Sequence, residues 1–353
     1  MPREAFKVPE YRVKSKNEDF EVTEVSLLPK FLKKGSYTYL WIKKSGFSSF
    51  EIQDFLKTFF KLESKDINVE GLKDEDGVTA QILSVRKVLS TRNIQLFNNK
   101  WGRGRKYVLI ERILGYGLNP VVERMLHGNL FTIVVRKLSP AIAEEIYEKM
   151  SKERFFSFVN YYDSQRFGVP GGPYNTHLIG KAVVEGDWRE AWRQMRVSGN
   201  KKDGDLSFLK SKNPSREEYR KFFLTVNPKK VRFFVSAYNS YLWNSRVSSE
   251  ISRISKSGKI EIDHIGDLRI PLVSDARIPV TISVRGYEIN NNLLACRADN
   301  SRPAMVTSAV FAGTAVKDEM HPGKKKITLS FFLPTGSYAT MCVHQLLCKL
   351  SFK

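Results

Sequence analysis

Apolar side chains at alternate positions, Phe20 and Val22 set against Glu21 and Thr23, predict a half-buried strand over Phe20–Val25. The signature recurs. Tyr37 to Ile42, Ile82 to Val85, Tyr107 to Ile110, Phe131 to Arg136 and Ile327 to Leu333 all read as strands. Helical spacing falls between them: Ile52, Phe55, Leu56 and Phe59 sit at i, i+3, i+4 and i+7. Ser139-Pro140 is a cap followed by a first-turn proline, and Ala141 to Met150 continues that helix. Strands with interspersed helices in this order predict an α+β fold with a mixed, mostly antiparallel sheet.

Around Asn160 the texture changes. Val169-Pro170-Gly171-Gly172-Pro173 breaks the chain, and Asp187 to Arg196, Arg216 to Phe223 and Val231 to Ser249 then carry helical spacing. Residues 256–300 read as short strands and turns, after which a strand and a final helix (Ala339, Cys342, Val343, Leu346 and Leu350 on one stripe) resume the earlier character. The expected organisation is a sheet domain over residues 1–160 and 301–353, interrupted by an α/β insertion over residues 161–300.

With 58 Lys and Arg against 37 acidic residues, the formal charge is +21, which points to a polyanionic partner. No apolar run approaches the about 20 residues of a spanning helix, so nucleic acid is preferred to a membrane. Met1 to Lys16 lacks the apolar core of a secretory signal. Three cysteines without a CxxC pair and five isolated histidines predict neither a metal site nor a disulfide framework, and favour a reducing cytoplasm.

Between Ile67-Asn68-Val69 and Ile82-Leu83 lies the polar, glycine-flanked loop Gly71-Leu72-Lys73-Asp74-Glu75-Asp76-Gly77-Val78-Thr79-Ala80-Gln81. Turn-forming residues alone make it an ordinary surface turn. At a strand end on a basic chain, the same carboxylates are candidates for acid, base or nucleophile work on a polyanion. Asp74, Glu75 and Asp76 compete equally on residue type.

Four further stretches break the tie. Asn17-Glu18-Asp19-Phe20-Glu21-Val22, Gly128-Asn129-Leu130-Phe131-Thr132 running into Arg136, Asn160-Tyr161-Tyr162-Asp163-Ser164-Gln165-Arg166-Phe167-Gly168 and Phe332-Leu333-Pro334-Thr335-Gly336-Ser337-Tyr338-Ala339-Thr340 occur with the loop in a fixed order. From about Lys14 to about Leu347 the chain resembles the TruD family of pseudouridine synthases. The resemblance implies isomerisation of a uridine in RNA to pseudouridine without cofactor or metal. The usual family target is position 13, in the D-arm region of transfer RNA. It places the family nucleophile on Asp74, with Lys14 the matched charge partner and Lys73 second. It sets Phe20, Asn129, Phe131 and Tyr338 around a flipped base, whose stacking is worth roughly 1–3 kcal/mol. An amide at Asn129 offers a donor and an acceptor to a uracil edge. Tyr338 replaces a phenylalanine found in some members. The bland alternative for the three aromatics is core packing, and for Arg166 a structural ion pair rather than a phosphate or loop contact.

Two other classes remain in view. A catalytically silent RNA-binding or chaperone protein would share the charge and the aromatics, but would not need the intact Gly-Leu-Lys-Asp loop. An RNA methyltransferase fits less well, since no glycine-rich cofactor loop follows a strand. No obligate protein partner is indicated.

Overall fold

The computed structural model describes residues 9–350, apart from 29, 70, 72, 74, 169–171, 198–213, 227, 255–259, 266–267 and 273–280. By backbone contacts the chain divides into two compact units: Pro9–Phe156 with Thr307–Gly336, and Ser157–Val306 with the segment from Ser337 onward.

The first unit is built on a sheet. In chain order its elements are β1 (Phe20–Ser26), β2 (Tyr37–Ser45), α1 (Ser49–Phe60), β3 (Ile67–Val69), β4 (Val78–Val85), α2 (Thr91–Trp101), β5 (Tyr107–Gly117), β6 (Leu126–Leu138) and α3 (Pro140–Lys152). Next comes β7 (Phe155–Val159), through which the chain passes into the second unit.

The second unit carries α4 (Thr176–Glu185), α5 (Trp188–Val197), α6 (Arg216–Thr225) and the long α7 (Pro228–Ile254). Two hairpins follow, β8 (Ile260–Ile265) with β9 (Leu268–Leu272), and β10 (Thr281–Ile289) with β11 (Ala295–Pro303). β12 (Met305–Ala312) leads back, and β13 (Val316–Lys317) and β14 (Lys325–Pro334) complete the sheet before α8 (Ala339–Leu350).

The sheet order is β5-β2-β4-β1-β6-β14-β12-β7, with β3 alongside β4 and β13 alongside β14. β1 runs parallel to β4 and antiparallel to β6, and β2 is antiparallel to both β4 and β5. The predicted mixed, mostly antiparallel α+β fold is therefore present. Period-two alternation sends Leu40, Ile42, Leu83 and Val85 to one face, where Ile52, Leu56 and Phe60 of α1 and Ile94 and Phe97 of α2 bury them. Tyr39 and Ile82 pack with Val121 in a separate cluster, against Trp41.

In the second unit, Ile179 and Val183 of α4, Trp188 and Met195 of α5, Phe222 and Phe223 of α6, and Phe234 of α7 form one core. α4 and α7 meet at Gly180, where a Cβ would stand 2.0 Å from the Phe234 carbonyl oxygen. Only glycine lets the backbones come that close.

By backbone contacts the final helix groups with residues 157–306. Its buried face is mostly apolar, and polar contacts add to it. The buried Gln345 amide accepts from the Val159 N–H at 2.9 Å and donates to the Val159 carbonyl at 2.8 Å. Lys349 Nζ reaches the Ser157 carbonyl at 2.9 Å, and Thr340 bonds Asp163. No helix among the described residues is long and apolar enough to cross a membrane.

Candidate active site

Register assembles a polar strip on the face that α1 and α2 cover further along. Glu24 pairs with Asn129, Val22 with Phe131 and Phe20 with Ile133, so Phe20, Glu24, Asn129 and Phe131 share this face. Lys44 and Val22 both pair with Thr79, and Ile42 pairs with Gln81, which brings Lys44, Thr79 and Gln81 to the same side. Glu24, Lys44, Thr79 and Gln81 are buried. Thr79 Oγ1, Gln81 Oε1 and Asn129 Oδ1 are enclosed without a hydrogen-bond partner among the described residues. Buried polar atoms in that state are uncommon and call for an explanation.

The loop from Gly71 is held against this strip. Lys73 Nζ lies 2.8 Å from Glu24 Oε2, with side-chain exposures of 6% and 0%. The other Glu24 oxygen accepts from the Ile82 N–H and the Ser26 hydroxyl, each at 3.2 Å. The Lys73 N–H donates to Ser49 Oγ at 2.9 Å, and the Lys73 carbonyl accepts from Lys44 Nζ at 3.3 Å. Lys73 is thus tied to β1, to the start of α1 and to β2. Its ammonium is engaged by the Glu24 carboxylate.

Downstream, Gly77 rests on Phe20: a Cβ there would stand 2.7 Å from the Phe20 carbonyl oxygen. Glu75 is exposed and pairs with Lys106 at 3.7 Å, and Asp76 is exposed. Leu72 and Asp74 lie outside the described residues.

Lys14 reaches Phe20. Its ammonium is 4.3 Å from the ring centroid, and its backbone takes φ +57°, a conformation that disfavours a branched or bulky side chain. Phe20 meets Phe131 edge-on at 6.0 Å, and Phe131 stacks on Phe331 at 5.7 Å. Phe20 and Phe131 are only 3% and 7% exposed, so the packing role weighed from sequence is real.

The segment leading into β1 is pinned by Arg136. Its backbone pairs with Arg12 at 2.8 and 2.9 Å, and its guanidinium grips both Asp19 oxygens at 2.7 and 2.8 Å and Asp318 at 3.0 Å. Such bidentate contacts hold the guanidinium firmly charged, with the Asp19 bond the chief cause.

Arg166 and Tyr338 belong to the second unit. Arg166 donates to Ser236 and, at 3.3 Å, to Ser240 on α7, with its guanidinium over Phe233. Its partners among the described residues are neutral hydroxyls, where sequence alone allowed a carboxylate. Tyr338 stands edge-on to Tyr162 at 5.9 Å, just ahead of α8. Burial raises its hydroxyl above the usual tyrosine value against the lowering influence of Arg166 and Arg302, so it is a neutral phenol at physiological pH. Arg302 itself lies over Tyr162 and Trp243, at 3.8 and 4.5 Å.

Sequence reasoning passed over Glu24, Lys44 and Ser49. The signal for Glu24 was in the alternation itself, since extending Phe20 and Val22 by one period puts Glu24 on the buried face. Lys44 was hidden by its neighbour, because Lys43-Lys44 at a strand end reads as a solvated edge.

The family model for tRNA pseudouridine synthase D (TruD) matches residues 9–206. A tRNA pseudouridine synthase D of Aquifex aeolicus is 27% identical, aligning 96% of this chain with 98% of its own. One from Leptospira interrogans is 23% identical, with 96% of each chain aligned. A crystal structure of a TruD protein from Methanosarcina mazei superposes with a TM-score of 0.60 at 20% identity, covering 97% of this chain and 94% of that one, which establishes the shared fold. With more than half its length inside the family model, the chain belongs to the tRNA pseudouridine synthase D (TruD) family of RNA-modifying isomerases.

Proposed function

We propose that the protein converts a uridine of transfer RNA, at position 13, to pseudouridine, with Asp74 as the attacking group. The observation that carries this reading is the family match over residues 9–206, which spans the loop from Gly71 to Gln81. In the reaction the N1–C1′ bond breaks, a C5–C1′ bond forms, the C5 proton leaves and N1 gains one. Atoms and electrons balance within the substrate.

An aspartate, with an unperturbed pKa of about 3.9, is ionised at neutral pH and needs orientation more than activation. Three tethers on Lys73 and the close approach of Gly77 to Phe20 supply rigidity on both sides of Asp74. Lys14 contributes positive potential beside Phe20. Buried as they are, Phe20 and Phe131 serve as an apolar floor for a flipped base instead of a sandwich around it. Asn129 Oδ1 has acceptor capacity unspent among the described residues, which the N3–H of uracil would fill and the N3 lone pair of cytosine would not. Tyr338 is proposed as an aromatic contact for the base, and Arg166 as a brace for its own segment through α7. The charge of +21 suits an RNA backbone.

Asp74→Asn tests the reading. Release of tritium from transfer RNA labelled at uridine C5 is expected to fall at least about 10³-fold, with RNA affinity unchanged within about twofold. Comparable turnover in the variant would move the nucleophile to another carboxylate. A wild-type protein that binds the RNA tightly and releases no tritium would instead be a silent binding protein.

A further inference from the structure

The least expected side chain in the first unit is Lys44. It is fully buried, in β2, at the register position of Thr79. Its ammonium donates to the Phe47 carbonyl at 2.7 Å and to the Lys73 carbonyl at 3.3 Å. Taking an ammonium out of water is costly, and a neutral side chain of similar length would fill the same space without that cost. Packing alone therefore does not account for a lysine here. The second carbonyl is the informative one. It belongs to the residue that immediately precedes Asp74 in the chain, so a donor on it fixes the orientation of the Lys73 carbonyl.

We propose that Lys44 is a positioning residue for the loop that carries the assigned nucleophile: by holding the Lys73 carbonyl, it fixes the backbone of the residue immediately before that nucleophile. The inference rests on the assignment of Asp74 as the attacking group. Lys44 does not touch the substrate; it acts through the backbone of Lys73. Ser49, which takes the Lys73 N–H at 2.9 Å, is a second, uncharged tether of the same residue. Glu24 holds the side chain. Of the three, only Lys44 grips the Lys73 carbonyl. A cation in that place also adds positive potential along the path of the loop, which a neutral substitute removes together with the hydrogen bond.

Lys44→Met separates positioning from packing, since it keeps the length and removes the donor. Two measurements are needed. The first is the single-turnover rate of tritium release with enzyme in excess over labelled transfer RNA, so that neither affinity nor the fraction of folded protein enters the rate. It is expected to fall about 30- to 300-fold, as misplacement of a reacting group does, while RNA affinity stays within about twofold. The second is hydrogen–deuterium exchange of the free protein. Amides of residues 73–77 are expected to exchange faster in the variant, with β2 and β4 still protected.

Unchanged loop exchange together with an unchanged single-turnover rate overturns the proposal. Faster loop exchange in a protein whose wild type releases no tritium upholds the tether and sinks the assigned reaction instead. Should Lys44→Met fail to fold, Ser49→Ala applies the same two readouts to the uncharged tether, where a threefold to tenfold loss of rate with loosened loop amides is expected. No change in either readout there would count against tethering of Lys73 as a determinant of the site.

Discussion

Glycine placement separates two positions that look alike in sequence. At Gly77 a methyl group would collide with the Phe20 carbonyl oxygen at 2.7 Å, and backbone cannot rotate away. At Gly71 the nearest atom is a Leu126 methyl at 3.2 Å, the far end of a flexible side chain. Gly77→Ala is therefore expected to cost about 1–3 kcal/mol of stability and to displace the loop from Phe20, lowering turnover at least about tenfold. Gly71→Ala should remain within about 1 kcal/mol of wild type. Thermal denaturation and tritium release on both variants check the contrast, and equal effects would contradict it. At this scale sequence was a partial guide. Lys14, Phe20, Asn129 and Phe131 lie in one unit with the loop, and Phe20 touches both Lys14 and Phe131. The buried charges beneath them went unread because burial of a Lys or Glu depends on partners far away in the chain. Glu24 and Lys73 are an instance, meeting only once β1 and the loop are brought together.

Elements with a single exposed face were the legible ones. β1, β6 and β14 alternate because one side of each faces a core, and α1 shows its stripe for the same reason. Two helices escaped. α2 (Thr91–Trp101) buries only Ile94 and Phe97, leaves Leu96 exposed and is asparagine-rich, so its stripe is faint. α4 follows a proline-glycine break and contains Gly180, a residue that reads as a helix breaker until α7 is seen against it. Capping, by contrast, is local and testable. Ser48 Oγ accepts from the Glu51 N–H at 3.2 Å while the Glu51 carboxylate takes the Ser48 N–H at 2.7 Å, a reciprocal cap at the start of α1. Ser48→Ala is expected to lower unfolding free energy by about 1 kcal/mol, measured by urea denaturation. Ser49 and its bond to Lys73 remain in place in that variant, so turnover by the folded protein should hold within about threefold. A larger loss of turnover than of stability would mean that the cap also governs the loop.

Across the whole molecule, charge is the most uneven quantity, and acid exposes one consequence. Burial by itself raises the Asp318 carboxyl, but hydrogen bonds from the Lys137 and Met320 amides, His321 and Arg136 outweigh it and hold the group at about 2. Its folded value is thus below the unfolded aspartate value of about 3.9. The stabilisation is complete above the unfolded value and disappears as pH falls from about 4 to about 2. Denaturation midpoints should drop across that window in the wild type and drop less in Asp318→Asn, which begins less stable at pH 7. Parallel curves would show that the Arg136 cluster contributes little to acid sensitivity. The sheet order carries a consequence of a different kind, in biosynthesis. β6 finds one neighbour, β1, in chain already made, whereas its other neighbour, β14, is encoded nearly two hundred residues later. A nascent chain that has finished β6 therefore leaves the ribosome with an unpaired edge from Leu126 to Leu138, rich in Val, Ile and Leu. That edge must wait until residues 157–306 of the second unit have been translated. During the wait it is a template for strand addition by other chains, so the burden of keeping this protein out of aggregates falls on the cell's chaperones at the moment of synthesis.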